Sequence, residues 1–189
     1  MALADTPLPY GLRDIKVTPY TDATSTVLAD TAIDLPNSRT LSFSETEEFT
    51  ELRGDDHLIT TRGSGASVEW DIESGGLPLE AVKAMFGGEI TTTGMEPDTV
   101  KRYRKTSTSS RPFFKLEGQA ISDSGGDIHV VIYRCRATGN FEGELADGEF
   151  WLTSGSGVGL PSLIEGDDLD AIYDFIQNGS VTAISTSSI

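Results

Sequence analysis

The sequence contains little cysteine and little histidine: Cys135 is its only cysteine, and 2 histidines occur among 189 residues. A lone cysteine excludes an intrachain disulfide and a thiolate metal cluster, and it fits a reducing cytoplasm. No apolar run approaches the roughly 20 residues that cross a bilayer, and residues 1–13 lack the basic and apolar regions of a signal peptide. We therefore expect a protein made in the cytoplasm, with no membrane partner.

Basic residues are also scarce, because 14 lysines and arginines stand against 30 aspartates and glutamates, for a net charge of −16. Such a surface repels phosphate, so nucleic-acid affinity driven by counterion release is not expected. Solubility explains the charge most simply. A sharper interpretation is a surface that lies near DNA without adhering to it, and composition alone favours the simpler one.

The motifs of common catalytic sites are missing. His57 and His129 have no metal-ligand spacing, the glycine-rich runs lack the Lys-Ser/Thr of a phosphate loop, and no Gly-x-Ser-x-Gly nucleophile elbow is present. Neighbouring acids such as Glu47-Glu48 arise by chance in a chain this acidic. We therefore expect no enzyme activity and no cofactor.

Two segments show helical periodicity. Over residues 77–86, Pro78 suits a helix start, Gly87 suits its end, and the apolar positions fall on one face: Leu79, Val82, Met85 and Phe86. Such a short amphipathic helix must lie on a sheet to be stable. A second short helix is predicted over residues 167–177, with an apolar face of Leu169, Ile172, Tyr173 and Ile176.

The remainder of the chain has the alternation of β-strands. In residues 39–52 and 57–73, apolar and polar side chains alternate, so each segment has one apolar and one polar parity, meaning one set of alternate positions of each kind. In the first segment the apolar parity includes Leu41, Phe43 and Phe49. Strands are also predicted over 12–20, 112–121, 127–137, 141–145 and 149–153, with turns at 54–56 and 123–126 and a glycine–serine connector at 154–161. Residues 89–110 are polar with little periodicity. The fold class is therefore mainly β, a β-sandwich-like single domain over residues 1–189, with an irregular arm at 1–11 and an extended tail at 180–189.

One basic cluster stands out in this acidic chain. Residues 101–105 hold four of the fourteen cations: Lys101, Arg102, Arg104 and Lys105. The plain interpretation is a solvated loop, and the functional one is a docking site for the acidic 45–56 region of a neighbouring copy. Under the functional interpretation, reversing all four charges weakens assembly but not folding.

The order and wording of several segments resemble a known family. They are residues 41–49, 51–56, 68–77, 116–120, 122–127, 130–135 and 141–143. Over about residues 10–180 the chain resembles the major tail tube proteins of long-tailed, non-contractile bacteriophages, notably those of actinobacterial hosts.

The resemblance implies a structural virion protein, assembled in the host cytoplasm, whose partner is itself. Six copies would form a ring, the inner sheets of a ring would join into a barrel, and stacked rings would conduct the genome without binding it specifically. Tape measure, tail tip and terminator proteins would be further partners. The polar parity then predicts the lumen lining: Ser42, Ser44, Thr46, Glu48, Thr50, Glu69, Asp71 and Glu73.

Three other functions compete with this one. A monomeric β-sandwich that binds carbohydrate would expose tryptophan, yet Trp70 has the core parity and Trp151 lies in an apolar segment. A hydrolase would need a nucleophile and a base that the sequence does not offer. The inner tube of a contractile tail would share the features described above.

Overall fold

The computed structural model describes residues 6–185, which form ten β-strands and one α-helix. The elements in chain order are β1 (Pro9–Pro19), β2 (Ile33–Asp34), β3 (Ser38–Gly54), β4 (His57–Gly75), α1 (Leu79–Phe86), β5 (Glu89–Thr93), β6 (Val100–Arg104), β7 (Phe114–Ser122), β8 (Asp127–Ala137), β9 (Leu152–Gly159) and β10 (Tyr173–Asn178). The predicted mainly β class is confirmed. None of the helical structure in residues 6–185 is long and apolar enough to cross a membrane.

Strand β8 organises the main antiparallel sheet, whose order is β2-β1-β7-β8-β9-β4-β3. One edge of β8 pairs with β7, whereas the other edge is divided. Residues 127–132 pair with β10, and residues 135–137 pair with β9. The change of partner falls next to Arg134, whose φ is 38°. The sheet thus separates into two leaves, β2-β1-β7-β8-β10 and β9-β4-β3.

The two leaves face each other across an apolar core. Trp70 of β4 packs on Phe114 of β7 with 5.5 Å between ring centroids. Leu41 of β3 lies over Gly118 of β7, because a Cβ at Gly118 would stand 2.3 Å from its Cδ2. The arrangement is a β-sandwich-like fold, as predicted.

Helix α1 covers part of this core. It buries Ala81, Val82, Ala84, Met85 and Phe86. Pro78 precedes its first residue, and the N–H of Gly87 donates to Lys83 O at 2.8 Å. The prediction of a helix over 77–86 is confirmed, with its start two residues later.

The glycine–serine connector predicted at 154–161 is wrong, because these residues form most of β9. Every second residue of β9 is buried, and after Thr153 these positions are all glycine: Gly155, Gly157 and Gly159. A Cβ would stand 3.3 Å from the ring of Phe86 at Gly155 and 2.6 Å from that of Trp70 at Gly157. Glycine thus makes room for aromatic rings, and its alternation with Ser and Val is a strand pattern.

The helix predicted over 167–177 is also wrong, since residues 173–178 form β10. Asp170 has φ 63°, which interrupts a helix. Beyond it, β10 pairs with residues 127–132 of β8 and satisfies an edge that would otherwise lie open. Phe175 of β10 also packs on Phe43 of β3, at 5.6 Å.

Two further segments differ from expectation. The sequence predicts a hairpin from strands 141–145 and 149–153. Residues 141–151 form no strand, and only residues 152–153 enter β9. Conversely, the polar stretch 89–110 contains the β5–β6 hairpin. In residues 89–104 cross-strand pairing therefore overrides the weak local pattern.

The chain ends rest on the β7–β8 hairpin as far as they are described. Residues 1–5 of the predicted arm and 186–189 of the predicted tail lie outside the described residues. Residues 9–11 belong to β1, and Leu8 N–H donates to Ser122 Oγ at 3.0 Å. Thr182 N–H donates to the fully buried Asp127 at 2.9 Å, and Ile184 is buried.

The core contact between the leaves gives a stability prediction. Truncation of the fully buried Phe114 to alanine removes the partner of Trp70, so we expect the free energy of unfolding to fall by about 3–5 kcal/mol. Phe150→Ala is the matched control, because Phe150 is 95% exposed and its truncation should change that energy by at most about 0.5 kcal/mol. Urea titrations measure both, and equal losses would contradict the assignment of the core.

Asp127 gives a pH prediction. Burial opposes its charged form, but hydrogen bonds from Thr182 N–H, Gln119, Asn178 and His129 outweigh burial and hold the pKa of Asp127 below its usual value. This stabilisation is complete above the ordinary aspartate pKa of about 3.9 and is lost as the pH falls through the folded-state pKa.

We therefore expect Asp127→Asn to lower the free energy of unfolding at neutral pH by about 1–3 kcal/mol, because an amide N–H₂ then faces donors. The variant should also lose less stability than the wild type when acidified below about pH 4. The control is Asp123→Asn in the adjacent turn, where the side chain is exposed. Identical pH profiles for Asp127→Asn and wild type would rule out this role.

Candidate functional site

The predicted polar positions share one exposed face of the β3–β4 ladder. Ser42 lies opposite Asp71, and Ser44 lies opposite Glu69. These side chains point away from the core because the alternate residues of β4, such as Trp70, are buried.

The polar face continues along β3 past a β-bulge that lies in β4. Thr46 pairs with Ser67, whereas Glu48 pairs with Ser64, so the extra residue lies on β4, where Gly65 has φ 72°. Because β3 itself has no insertion, Glu48 and Thr50 keep the parity of Thr46. The register thus places all eight predicted residues on one side of the ladder, although orientation toward a lumen stays a prediction.

Strand β9 adds two residues that the sequence analysis missed. Ser154 pairs with Glu73, and Ser156 pairs with Asp71, so both hydroxyls join the polar face. The signal for them was the alternation of glycine with serine and valine in 154–159, which indicates a strand with one crowded face.

The electrostatics of this face are dominated by carboxylates. Glu73 pairs with Arg39 at 2.9 Å, but no ion pair to Glu69 or Asp71 occurs within residues 6–185. Together with Ser42, Ser44 and Ser156 these two acids line an open concavity. Such a face attracts water and repels phosphate.

The histidines and the cysteine of the chain offer little for catalysis or metal binding. His57 is at the outer end of β4, and His129 is buried beside Asp127 at 3.1 Å. Burial raises the pKa of the Cys135 thiol well above its usual value, so it is a poor nucleophile. In the described part of the chain, no group of three or more His, Cys, Asp or Glu residues could hold a metal ion.

Beyond the sandwich, β3 and β4 continue as a two-stranded ribbon, here called the β-arm and defined as residues 45–66. Nearly all of its residues are exposed. Its turn at Asp55 and Asp56, with φ 49° and 65°, matches the predicted turn and suits a two-residue hairpin.

The β-arm carries exposed apolar side chains on both sides. Phe49 and Leu58 are 65% and 52% exposed on one side, since Leu58 pairs with Arg53 and β3 alternates regularly. Leu52 and Ile59 are 57% and 62% exposed on the other, where Ile59 lies against Gly54. Phe49, which alternation groups with Leu41 and Phe43, therefore does not face the core, because β3 has left the sandwich at this residue.

The outer edge of β3 is a second unsatisfied surface. In the order of the main sheet β3 is the last strand, so one side of Ser38–Gly54 has no strand beside it within residues 6–185. A long open edge of this kind invites pairing with another chain.

The basic cluster divides into two pairs of different roles. Lys101 forms an ion pair with Glu80 of α1 at 2.9 Å, and Lys105 donates to Phe86 O and to Ser109 O. Between them the hydroxyl of Tyr103 donates to Gly87 O at 2.6 Å. These residues fasten the β5–β6 hairpin to the end of α1, which the sequence analysis did not foresee.

The other pair faces away from α1. Arg102 and Arg104 share the outward side of β6 with Val100, which is 60% exposed. No ion pair to either arginine is found in the described part of the chain. Of the four predicted docking residues, these two are therefore the ones free to meet a partner.

Comparison with models of known protein families finds no match to this chain, and comparison with curated proteins finds none either. Function is therefore inferred from the surfaces described above.

The division of the basic cluster changes the expected outcome of charge reversal. Reversing all four residues should lower the free energy of unfolding by about 1–2 kcal/mol, because Lys101→Glu faces Glu80 and Lys105→Glu faces carbonyl oxygens. Reversing Arg102 and Arg104 alone should leave it within about 0.5 kcal/mol of wild type. Thermal melts of both variants test this difference. Equal melting temperatures would contradict the separate roles of the lysines and the arginines.

Proposed function

We propose that this protein is the major tail tube subunit of a long-tailed, non-contractile bacteriophage, a structural protein that assembles into rings stacked as a tube. The observation that carries the proposal is the β-arm, a ribbon whose apolar side chains have no cover in a single chain. The segment resemblance supplies the family, and the β-arm supports self-assembly independently of it.

A two-stranded hairpin alone is marginally stable in water, and the β-arm exposes large apolar side chains on both of its sides. Contact with other copies would remove these side chains from water, at about 25 cal/mol per Å² of apolar surface buried. The β-arm is therefore best explained as one half of an interface.

Two more features support a tube. The open edge of β3 would pair with a neighbouring subunit, which removes an aggregation hazard and widens the enclosed space beyond what one chain could surround. A closing head-to-tail interface gives rings, and a second interface that does not close gives a filament. Both kinds of surface, an open edge and an uncovered β-arm, are available.

The acidic face fits the inside of such a tube. Glu69, Asp71 and the neighbouring serines would line the lumen, where unpaired carboxylates repel the phosphates of a passing genome. DNA then moves through without specific binding. Partners other than itself would be the tape measure, tail tip and terminator proteins, and the protein's place would be the virion tail.

The competing functions gain less support. A carbohydrate-binding face would display tryptophan, but Trp70 is 2% exposed and the indole N–H of Trp151 donates to Thr153. An inner tube of a contractile tail would use the same surfaces as the proposed tube.

Electron microscopy of the purified, concentrated chain tests the proposal. We expect stacked rings or tubes with a central channel in wild type. Phe49→Lys/Leu58→Lys should abolish them without lowering the melting temperature, because both side chains are exposed on the side of the β-arm opposite the predicted lumen positions and would place charge in the interface.

The matched control is Val27→Lys/Leu169→Lys, which changes two side chains of similar exposure, 54% and 52%, away from the β-arm. This control should still assemble. A wild type that stays monomeric at every soluble concentration, or equal effects of the two variants, would contradict the proposal.

A further inference from the structure

We infer that the β-arm of one copy docks on the outward side of the β5–β6 hairpin of a second copy. The acidic stripe is defined as Glu45, Glu47 and Phe49 of β3. The basic stripe is defined as Val100, Arg102 and Arg104 of β6. The inference rests on the proposed self-assembly and names the surface that receives the β-arm.

Apolar and charged residues follow a matching order along the two stripes. Alternate residues of a strand share a side and lie about 7 Å apart. Read backwards along β3, the acidic stripe is apolar, acid, acid, and read forwards along β6, the basic stripe is apolar, base, base. An antiparallel alignment places Phe49 on Val100 and both carboxylates at both guanidinium groups.

The side chains of both stripes are exposed in a single copy and are therefore available for contact. Phe49 and Val100 are 65% and 60% exposed, and Glu45, Glu47, Arg102 and Arg104 are exposed as well. Glu45 accepts a hydrogen bond from the Tyr173 hydroxyl at 2.9 Å. Glu89 lies opposite Arg104 in the hairpin, but no ion pair joins them within residues 6–185.

Charge complementarity favours a second copy as the partner. Copies with a net charge of −16 repel one another, so association needs a local pairing of opposite charge. Residues 45–66 hold six acids and two arginines, whereas the outward side of β6 presents two unpaired arginines. Arginine pairs well with carboxylates in such contacts, and these two sit on a hairpin that Tyr103 and Lys105 hold against α1.

A cross-linking experiment tests the contact directly. Two populations are prepared, one with Phe49→Cys and one with Val100→Cys, and a short bis-maleimide is added to their mixture. Cys135 is fully buried and does not interfere. We expect strong cross-linking of this pair and little between Phe49→Cys and the control Leu145→Cys, whose position is 87% exposed on a loop. Equal cross-linking to both partners, or none to Val100→Cys, overturns the inference.

Charge exchange supplies a second test with its own rescue. Glu45→Arg/Glu47→Arg and Arg102→Glu/Arg104→Glu should each weaken association by about tenfold or more. A chain that carries all four substitutions should recover most of that loss, since opposite charges meet again. Failure of the rescue, with all three variants melting like wild type, overturns the inference.

These outcomes are separable from those of the proposed function. Tubes seen by electron microscopy without the Phe49–Val100 cross-link would overturn the docking site and leave the tube subunit standing. The cross-link without tubes would support the docking site and count against the tube.

Discussion

The divided edge of β8 is the constraint on which the rest of the structure depends. Its first half pairs with β10 and its second half with β9, so the sheet opens into two leaves that enclose Trp70 and Phe114 between them. Because β9 carries β4 and β3 outward from this point, the β3–β4 ribbon runs past the edge of the core. The same pairing that builds the sandwich therefore also produces the β-arm.

Three surfaces follow from this geometry, and they are consistent with one another. The polar side of β3, β4 and β9 carries carboxylates, the open edge of β3 offers backbone groups, and the β-arm offers apolar side chains. A monomer gains nothing from the last two, since both are costly in water. In the proposed tube each would become an interface, and the carboxylates would face the enclosed space. This agreement between surfaces is the physical basis of the tube proposal.

Sequence reasoning predicted elements whose signal is local and failed where tertiary pairing decides. The α1 helix, the turn at Asp55 and the polar parity of β3 and β4 could be predicted because proline, glycine and alternation act locally. The segment 173–178 has helical spacing, yet it became β10 because an edge of β8 needed a partner. From the sequence alone, the glycines of β9 indicate a connector. In the structure they leave room for the rings of Phe86 and Trp70. Strand alternation separates Lys101 and Lys105, which hold the hairpin, from Arg102 and Arg104, which do not, but it could not be applied because residues 89–110 were not predicted to contain a strand.

The central claim is that a single copy leaves the β-arm uncovered and that another copy covers it. Amide hydrogen exchange of residues 45–66, compared between dilute monomer and concentrated protein, tests this most directly. We expect rapid exchange in the dilute sample and strong protection in the concentrated one, while the protection of β7 and β8 stays unchanged. A β-arm that exchanges equally at both concentrations, whether fast or slow, would contradict the claim.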